Sequence, residues 1–235
     1  MLFVSLCYHG LEFMVGRLKT ANRWNETVFM GTLSLICAAL YGARVFLCGE
    51  LTFFFLNWNL FLAFIPWVLT TALIIHPRLQ ARKAVVGAAA LLWLLFFPNA
   101  PYILTDLFHL RHREGIPVWF DLMMILSFAW TGLLFGFLSL WNIERVLSAF
   151  MKSRHITLLS ICLLFISGFG IYLGRFLRWN SWDILHNPIA LAADIGHRIF
   201  YPLSHPRTWG MTLFMGLFLT ILYFSFRLIH HHKAS

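Results

Sequence analysis

The sequence predicts an all-α, polytopic membrane helix bundle with about six transmembrane helices. Three observations carry that reading. Hydrophobic residues make up 60% of the 235 residues and charged ones only 11%, against roughly 45–50% and about 25% in a soluble domain. The mean hydropathy of +0.76 is too high for a fold whose surface must meet water. The apolar residues also gather into stretches of about 20, the length that crosses a hydrocarbon core of about 30 Å at 1.5 Å per residue. Twenty-five Phe and ten Trp suit lipid faces and headgroup belts.

Residues 1–26 read as a cytoplasmic or interfacial segment, and residues 27–235 as a single transmembrane domain. The start lacks the basic region and the small-residue cleavage site of a signal peptide. Met14 opens MVGRLKTANRW and is a candidate start; otherwise residues 1–13 form a short interfacial segment. The first span is expected near Thr27–Leu47 and the second near Leu51–Ile75. The third is short: Ala84–Phe97 would measure only about 21 Å as a helix. It then meets Pro98-Asn99-Ala100-Pro101 and continues as YILTDLFHL. Two prolines three apart remove backbone donors, so an irregular break inside the membrane and a second short helix are expected, buried in protein or lining a wet cavity. Spans four, five and six are expected near Val118–Trp141, Ile156–Leu177 and Trp209–Ile229. Between the last two, PIALAADIGHRIF carries Leu191, Ile195 and Ile199 at helical spacing and reads as an interfacial helix over a cavity mouth.

With both termini cytoplasmic, 11 Lys/Arg fall inside and 7 outside, the direction that the positive-inside rule favours. The net charge of +9 is thereby accounted for by topology and anionic headgroups, without nucleic acid. Cys7, Cys37, Cys48 and Cys162 make no CxxC or haem motif. Gly132-x-x-x-Gly136, Gly170-x-x-x-Gly174 and the stripe Ser34, Ala38, Gly42 are expected to let helices approach closely.

Polar groups are costly in a membrane, so their placement is informative. On this topology they gather toward the outer side: Arg44, Asn57, Asn59, Asn99, Asp106, His109, Asp121, Arg175, Arg178, Asn180 and Asp183. The inner ends show little beyond Asn142 and Glu144. A cavity opening outward is the functional reading; interfacial polarity and helix–helix hydrogen bonds are the plain one. Three of four Asp have His three residues later, as Asp106/His109, Asp183/His186 and Asp194/His197. On a helix these share a face and offer ligands for a divalent metal, or an Asp that orients its His. Asp106 and His109 are also the catalytic candidates. Arg175 and Arg178 would share a face as an anion or lipid-phosphate clamp, with Asn180, Asn99, Asn57 and Asn59 as further ligand-binding candidates. The plain alternative is that the two Arg pair with Asp106, Asp121 or Asp183 and lock the bundle. The closing His230–His232 tract reads as an exposed tail.

The stretches LNWNLFLAFIPW (Leu56–Trp67), FFPNAPYILTDLFHL (Phe96–Leu110) and YLGRFLRWNSWD (Tyr172–Asp183) resemble the bacterial membrane family known as domain of unknown function 1361. The resemblance covers most of the chain after about residue 30. It implies a multi-pass protein of the bacterial inner membrane and brings no activity, ligand or catalytic residue. Three function classes follow from the sequence: a membrane-embedded enzyme acting on a lipid-linked or phosphate-bearing substrate, a small-solute transporter or permease subunit, and an assembly, chaperone or sensor subunit. The partners expected are membrane lipids, with a homo-oligomer or a membrane complex as candidates.

Overall fold

A computed structural model describes residues 12, 14–112 and 115–232. Among the described residues, six helices are long and apolar enough to cross a membrane. They are α1 (Trp24–Cys48), α2 (Phe54–Ile75), a third span that begins as α3 (Lys83–Phe96), α4 (Val118–Leu147), α5 (Ser153–Leu177) and α7 (Pro206–His232). The shorter α6 (Pro188–Phe200) lies between α5 and α7. Most of residues 1–13, the stretch weighed above as an interfacial segment, and the side chains of His230–His232 lie outside the described residues.

Helix α4 is the axis of the bundle. It is the most buried span and contributes to both core clusters. One cluster joins it to α1 and α2 through Met30, Leu56, Trp67, Phe128 and Phe135. The other joins it to α3, α5 and α7 through Trp93, Phe137, Leu164, Ile171 and Tyr223. Outward faces carry exposed Leu35, Phe46, Leu91 and Phe214, which would be a liability in water and suit lipid. Since lipid is as apolar as these side chains, close packing and polar contacts must hold the helices together.

The third span keeps its length but changes its winding. After α3 the chain forms a helical turn at Asn99–Tyr102 and a 3-10 helix at Ile103–His109. Phe97, Pro98, Tyr102 and Ile103 all hold right-handed helical angles. The expected break is therefore a re-registration and not an unwound segment. Pro98 and Pro101 withdraw the N–H groups that Leu94 and Phe97 would receive. Ala100 N–H donates instead to Phe97 O at 3.1 Å, tightening the helix. Two more carbonyls are met by side chains. Asn99 Nδ2 donates to Phe96 O at 2.9 Å, and Ser181 Oγ to Leu95 O at 3.0 Å. Asn99 Nδ2 also donates to Ser181 Oγ at 3.1 Å.

Both glycine motifs grip this segment. A methyl added at Gly132 would lie 2.7 Å from Ile103 Cδ1 and 3.0 Å from Ala100 O, and one at Gly136 would lie 2.9 Å from Ala100 Cβ. From the other side, Gly170 faces Pro98 Cβ at 3.1 Å and Gly174 faces the Tyr102 ring at 3.0 Å. The expected stripe on α1 behaves differently. Ala38 and Gly42 are exposed, and α1 packs through Met30, Cys37 and Arg44, spaced seven apart. Larger side chains at those positions already fill the space between the helices.

Gly132→Val is expected to lower the apparent unfolding midpoint in detergent, by the 1–3 kcal/mol typical of overpacking. Gly42→Val, with nothing within 4 Å of its added methyl, should leave the midpoint unchanged. Intrinsic-fluorescence melts of the two variants check the contrast.

Candidate functional site

The site grows from the 3-10 segment. Tyr102, Thr105 and Asp106 stand at i, i+3 and i+4, so one face carries all three toward α5. Arg175, near the end of α5, meets that face. Its Nε donates to Thr105 Oγ1 at 2.8 Å, its Nη2 to Asp106 Oδ1, and its Nη1 reaches His109 Nε2 at 3.0 Å. Arginine only donates, so His109 accepts through Nε2 and carries its proton on Nδ1. The guanidinium carbon lies 4.5 Å from the Tyr102 ring centroid. From α2, Asn59 Nδ2 donates to Asp106 Oδ2 at 2.8 Å. Both carboxylate oxygens of Asp106 are thus engaged, and the residue is buried. One carboxylate joins α2, the third span and α5.

A second buried ion pair closes the same end of the bundle. Arg44 Nε donates to Asp121 Oδ1 at 2.9 Å, Nη1 to Glu50 O at 3.3 Å, and the guanidinium lies 4.5 Å from the Phe53 ring. This pair joins α1 to α4. The opposite end holds a cluster that the sequence reading did not anticipate. Arg23 donates to Glu26 and to Asn142, Trp67 Nε1 donates to Glu26 Oε1 at 2.9 Å, and Asn142 Nδ2 donates to Thr70 Oγ1 at 3.3 Å. Glu144 accepts from Ser160 Oγ at 2.5 Å and pairs with Arg227 at 3.6 Å.

A cavity of about 430 Å³ opens beside the Asp106 network. Leu62, Leu91, Leu94 and Leu173 form its apolar wall, while Leu191 and Ile195 come from α6 above. Its polar lining is Asn59, Asn99, Tyr102, Asn180 and Ser181, with Trp58, Trp179 and Trp182 as aromatic neighbours. Trp58 and Trp182 meet edge to face, with centroids 6.3 Å apart. Among the described residues, no charged side chain lines the cavity.

The expected site residues therefore separate. Asn59, Asn99 and Asn180 line the cavity; Asp106, His109 and Arg175 lie behind its wall. Asn57 points to the other face of α2, into an apolar groove of about 640 Å³ against α1, where its Nδ2 is buried without a partner. Arg178 does not share Arg175's face. Helix α5 ends at Leu177, Arg178 takes the left-handed conformation with φ 62°, and Trp179 N–H donates to Leu173 O at 3.1 Å. That closing bond turns the exposed Arg178 away, and it forms no ion pair among the described residues. The three Asp/His pairs do not converge. Asp183 Oδ2 accepts from Asn180 N at 2.6 Å, while His186 is exposed. Asp194 accepts from Trp179 Nε1 at 2.7 Å and Arg198 Nη1 at 3.0 Å. His197 Nδ1 meets His205 Nε2 at 2.7 Å. Among the described residues, no group of three or more His, Cys, Asp or Glu is arranged to hold a metal ion. Ser181, Thr105 and Tyr102 were missed as site residues; the i, i+3, i+4 spacing of Tyr102, Thr105 and Asp106 was the available signal.

Helix α6 is pinned as a roof. Burial pushes the Asp194 carboxyl up, but the bonds from Trp179 and Arg198 outweigh it and hold the group below its ordinary value. Desolvation, with the charges of Arg198 and His197, pushes His205 below its ordinary 6.5.

A family model for a protein of unknown function (DUF1361) matches residues 58–222. No curated protein and no solved structure matches the chain.

Two outcomes are expected. Asp106→Ala, which strands Arg175 behind the wall, should cost about 3–5 kcal/mol, whereas Asp106→Leu with Arg175→Met should recover most of that loss. Unfolding midpoints of the single and double variants check this. For the roof, released α6 binds protons at His205 more readily than pinned α6, because pinning lowers the imidazole's affinity. Protection of α6 amides, corrected for intrinsic exchange, should therefore fall as pH drops below about 6.5. The fall should be absent in His205→Gln.

Proposed function

The chain belongs to the DUF1361 family, and on that premise we propose that it is a ligand-binding membrane protein whose cavity opens on the extracytoplasmic side of a bacterial inner membrane. The observation that carries this is the cavity of about 430 Å³ against the interrupted third span. Ligand sites are concave, mainly apolar, and oriented by a few placed polar groups, and this one has that composition. Every lining residue falls within the matched region. The charge bias of the loops supports the outward orientation, with 11 Lys/Arg on the opposite side and 7 on this one.

Acid–base chemistry at Asp106 and His109 has less support. Neither lines the cavity, and both Asp106 oxygens are engaged by Asn59 and Arg175. A metal-assisted reaction draws on Asp/His pairs that lie apart. For transport, the third span supplies no unwound stretch, because its backbone stays helical through Pro98. The Asp106 network serves the binding reading by fixing Tyr102 and Asn59 in the wall.

Native mass spectrometry of protein released from nanodiscs tests the proposal. One lipid-sized adduct is expected on the wild type and none on Leu94→Trp, whose indole fills the cavity, at an unchanged unfolding midpoint. A bare wild-type protein under the gentlest release overturns the binding reading. A membrane-impermeant maleimide should label Asn180→Cys from outside intact cells, above the unsubstituted chain. Labelling only after permeabilisation overturns the orientation.

A further inference from the structure

We infer that the cavity selects an amphiphile whose head group donates hydrogen bonds and carries no net negative charge, with hydroxyl or ammonium donors. The inference rests on the reading of the cavity as a ligand site.

Three asparagines line the cavity, and each turns at least one amide N–H toward the protein. Asn59 Nδ2 donates to Asp106 Oδ2 at 2.8 Å. Asn99 Nδ2 donates to Phe96 O at 2.9 Å and to Ser181 Oγ at 3.1 Å. Asn180 Nδ2 faces Asp183 Oδ2 at 3.3 Å. An amide's orientation is ordinarily ambiguous, because its oxygen and nitrogen look alike. Here it is fixed chemically. A carboxylate or a backbone carbonyl can only accept, so it must face the NH₂. All three Oδ1 atoms are then left as acceptors, and none receives a donor from the described residues. Ser181 spends its hydroxyl proton on Leu95 O. Trp179 spends its indole N–H on Asp194. The polar part of the cavity therefore presents three uncommitted amide oxygens, beside the Tyr102 hydroxyl and the indole N–H groups of Trp58 and Trp182.

A phosphate monoester head, which brings charge and acceptors, would meet the three amide oxygens here and, among the described residues, no lining cation. Arg175, the nearest candidate, is held by Asp106, Thr105 and His109 behind Tyr102. A hydroxylated head places its O–H groups on the asparagine oxygens. An ammonium head does the same with N–H groups and can lie against the Trp58 and Trp182 faces. The leucine wall beneath suits the acyl chains, so head and tail lie in the order that a bilayer imposes.

The test uses the full chain in nanodiscs holding equimolar lipids with identical acyl chains and four heads: glucosyl-diacylglycerol, phosphatidylethanolamine, phosphatidylcholine and phosphatidic acid. Retained adducts are counted by native mass spectrometry. Phosphatidylethanolamine and phosphatidylcholine share their charge and differ in donors, so they isolate the inference. The expected result is at least tenfold retention of the ethanolamine or glucosyl lipid over phosphatidylcholine and phosphatidic acid. An excess of the glucosyl lipid assigns hydroxyl donors, and an excess of the ethanolamine lipid assigns ammonium. Asn180→Leu should reduce the preference at least threefold while phosphatidylcholine retention stays constant. Equal retention of phosphatidylethanolamine and phosphatidylcholine overturns the inference while leaving the binding reading intact, as does a preference for phosphatidic acid. Retention of no lipid overturns both.

Discussion

A chain in hydrocarbon has no water to satisfy its backbone, and the rest of this structure depends on how that constraint is met at Pro98–Pro101. Each unmatched carbonyl there would cost several kcal/mol. The protein answers with local rewinding and with two side chains, Asn99 and Ser181. Ser181 comes from the segment after α5, more than 80 residues along the chain. Closing the interrupted helix therefore requires that this segment dock against it. The bond that repairs the backbone also builds the wall of a cavity.

Docking alone would leave the far half of the third span unanchored. Asp106 supplies the anchor, because two oxygens allow one carboxylate to hold α2 and α5 at once. The Born cost of burying such a pair is offset only when its remaining donors and acceptors are met. Here Thr105, His109 and Asn59 meet them. The glycines fit this arrangement. Gly132 and Gly136 admit Ala100 and Ile103 from one side, while Gly170 and Gly174 admit Pro98 and Tyr102 from the other. A side chain at any of the four would push the segment off α4 or α5 and stretch the network that Asp106 closes.

Much of this was legible in sequence. Six apolar runs fixed the spans to within a few residues, because bilayer thickness leaves little freedom in their length. Pro98 and Pro101 marked the interruption, and the glycine spacing marked close approach. What could not be read was which faces meet. The α1 stripe and the two glycine motifs share a spacing, yet only the motifs found a partner, since packing depends on the bulk of the opposing helix. Arg178 looked like Arg175's neighbour because the pattern assumes a continuing helix, and α5 stops between them. The Arg23, Glu26, Trp67 and Asn142 cluster was invisible for the same reason. Its members come from three helices, and no local spacing connects them.

The two ends of the bundle now differ in kind. At the Arg23 end charged and amide groups bond one another across three helices, through Glu26, Trp67 and Asn142. At the Asp106 end the two buried arginines, Arg44 and Arg175, are paired, while three asparagines face a cavity with oxygens unused among the described residues. Stability alone would favour filling that space, because an unmet acceptor and an unpacked wall both weaken a membrane bundle. The charges set the frame, the prolines and glycines open room inside it, and on the proposed reading the amide oxygens give that room its chemical preference. A neutral amide oxygen asks its partner for a proton without drawing in a counter-ion, whereas a buried charge left unpaired would have to be neutralised.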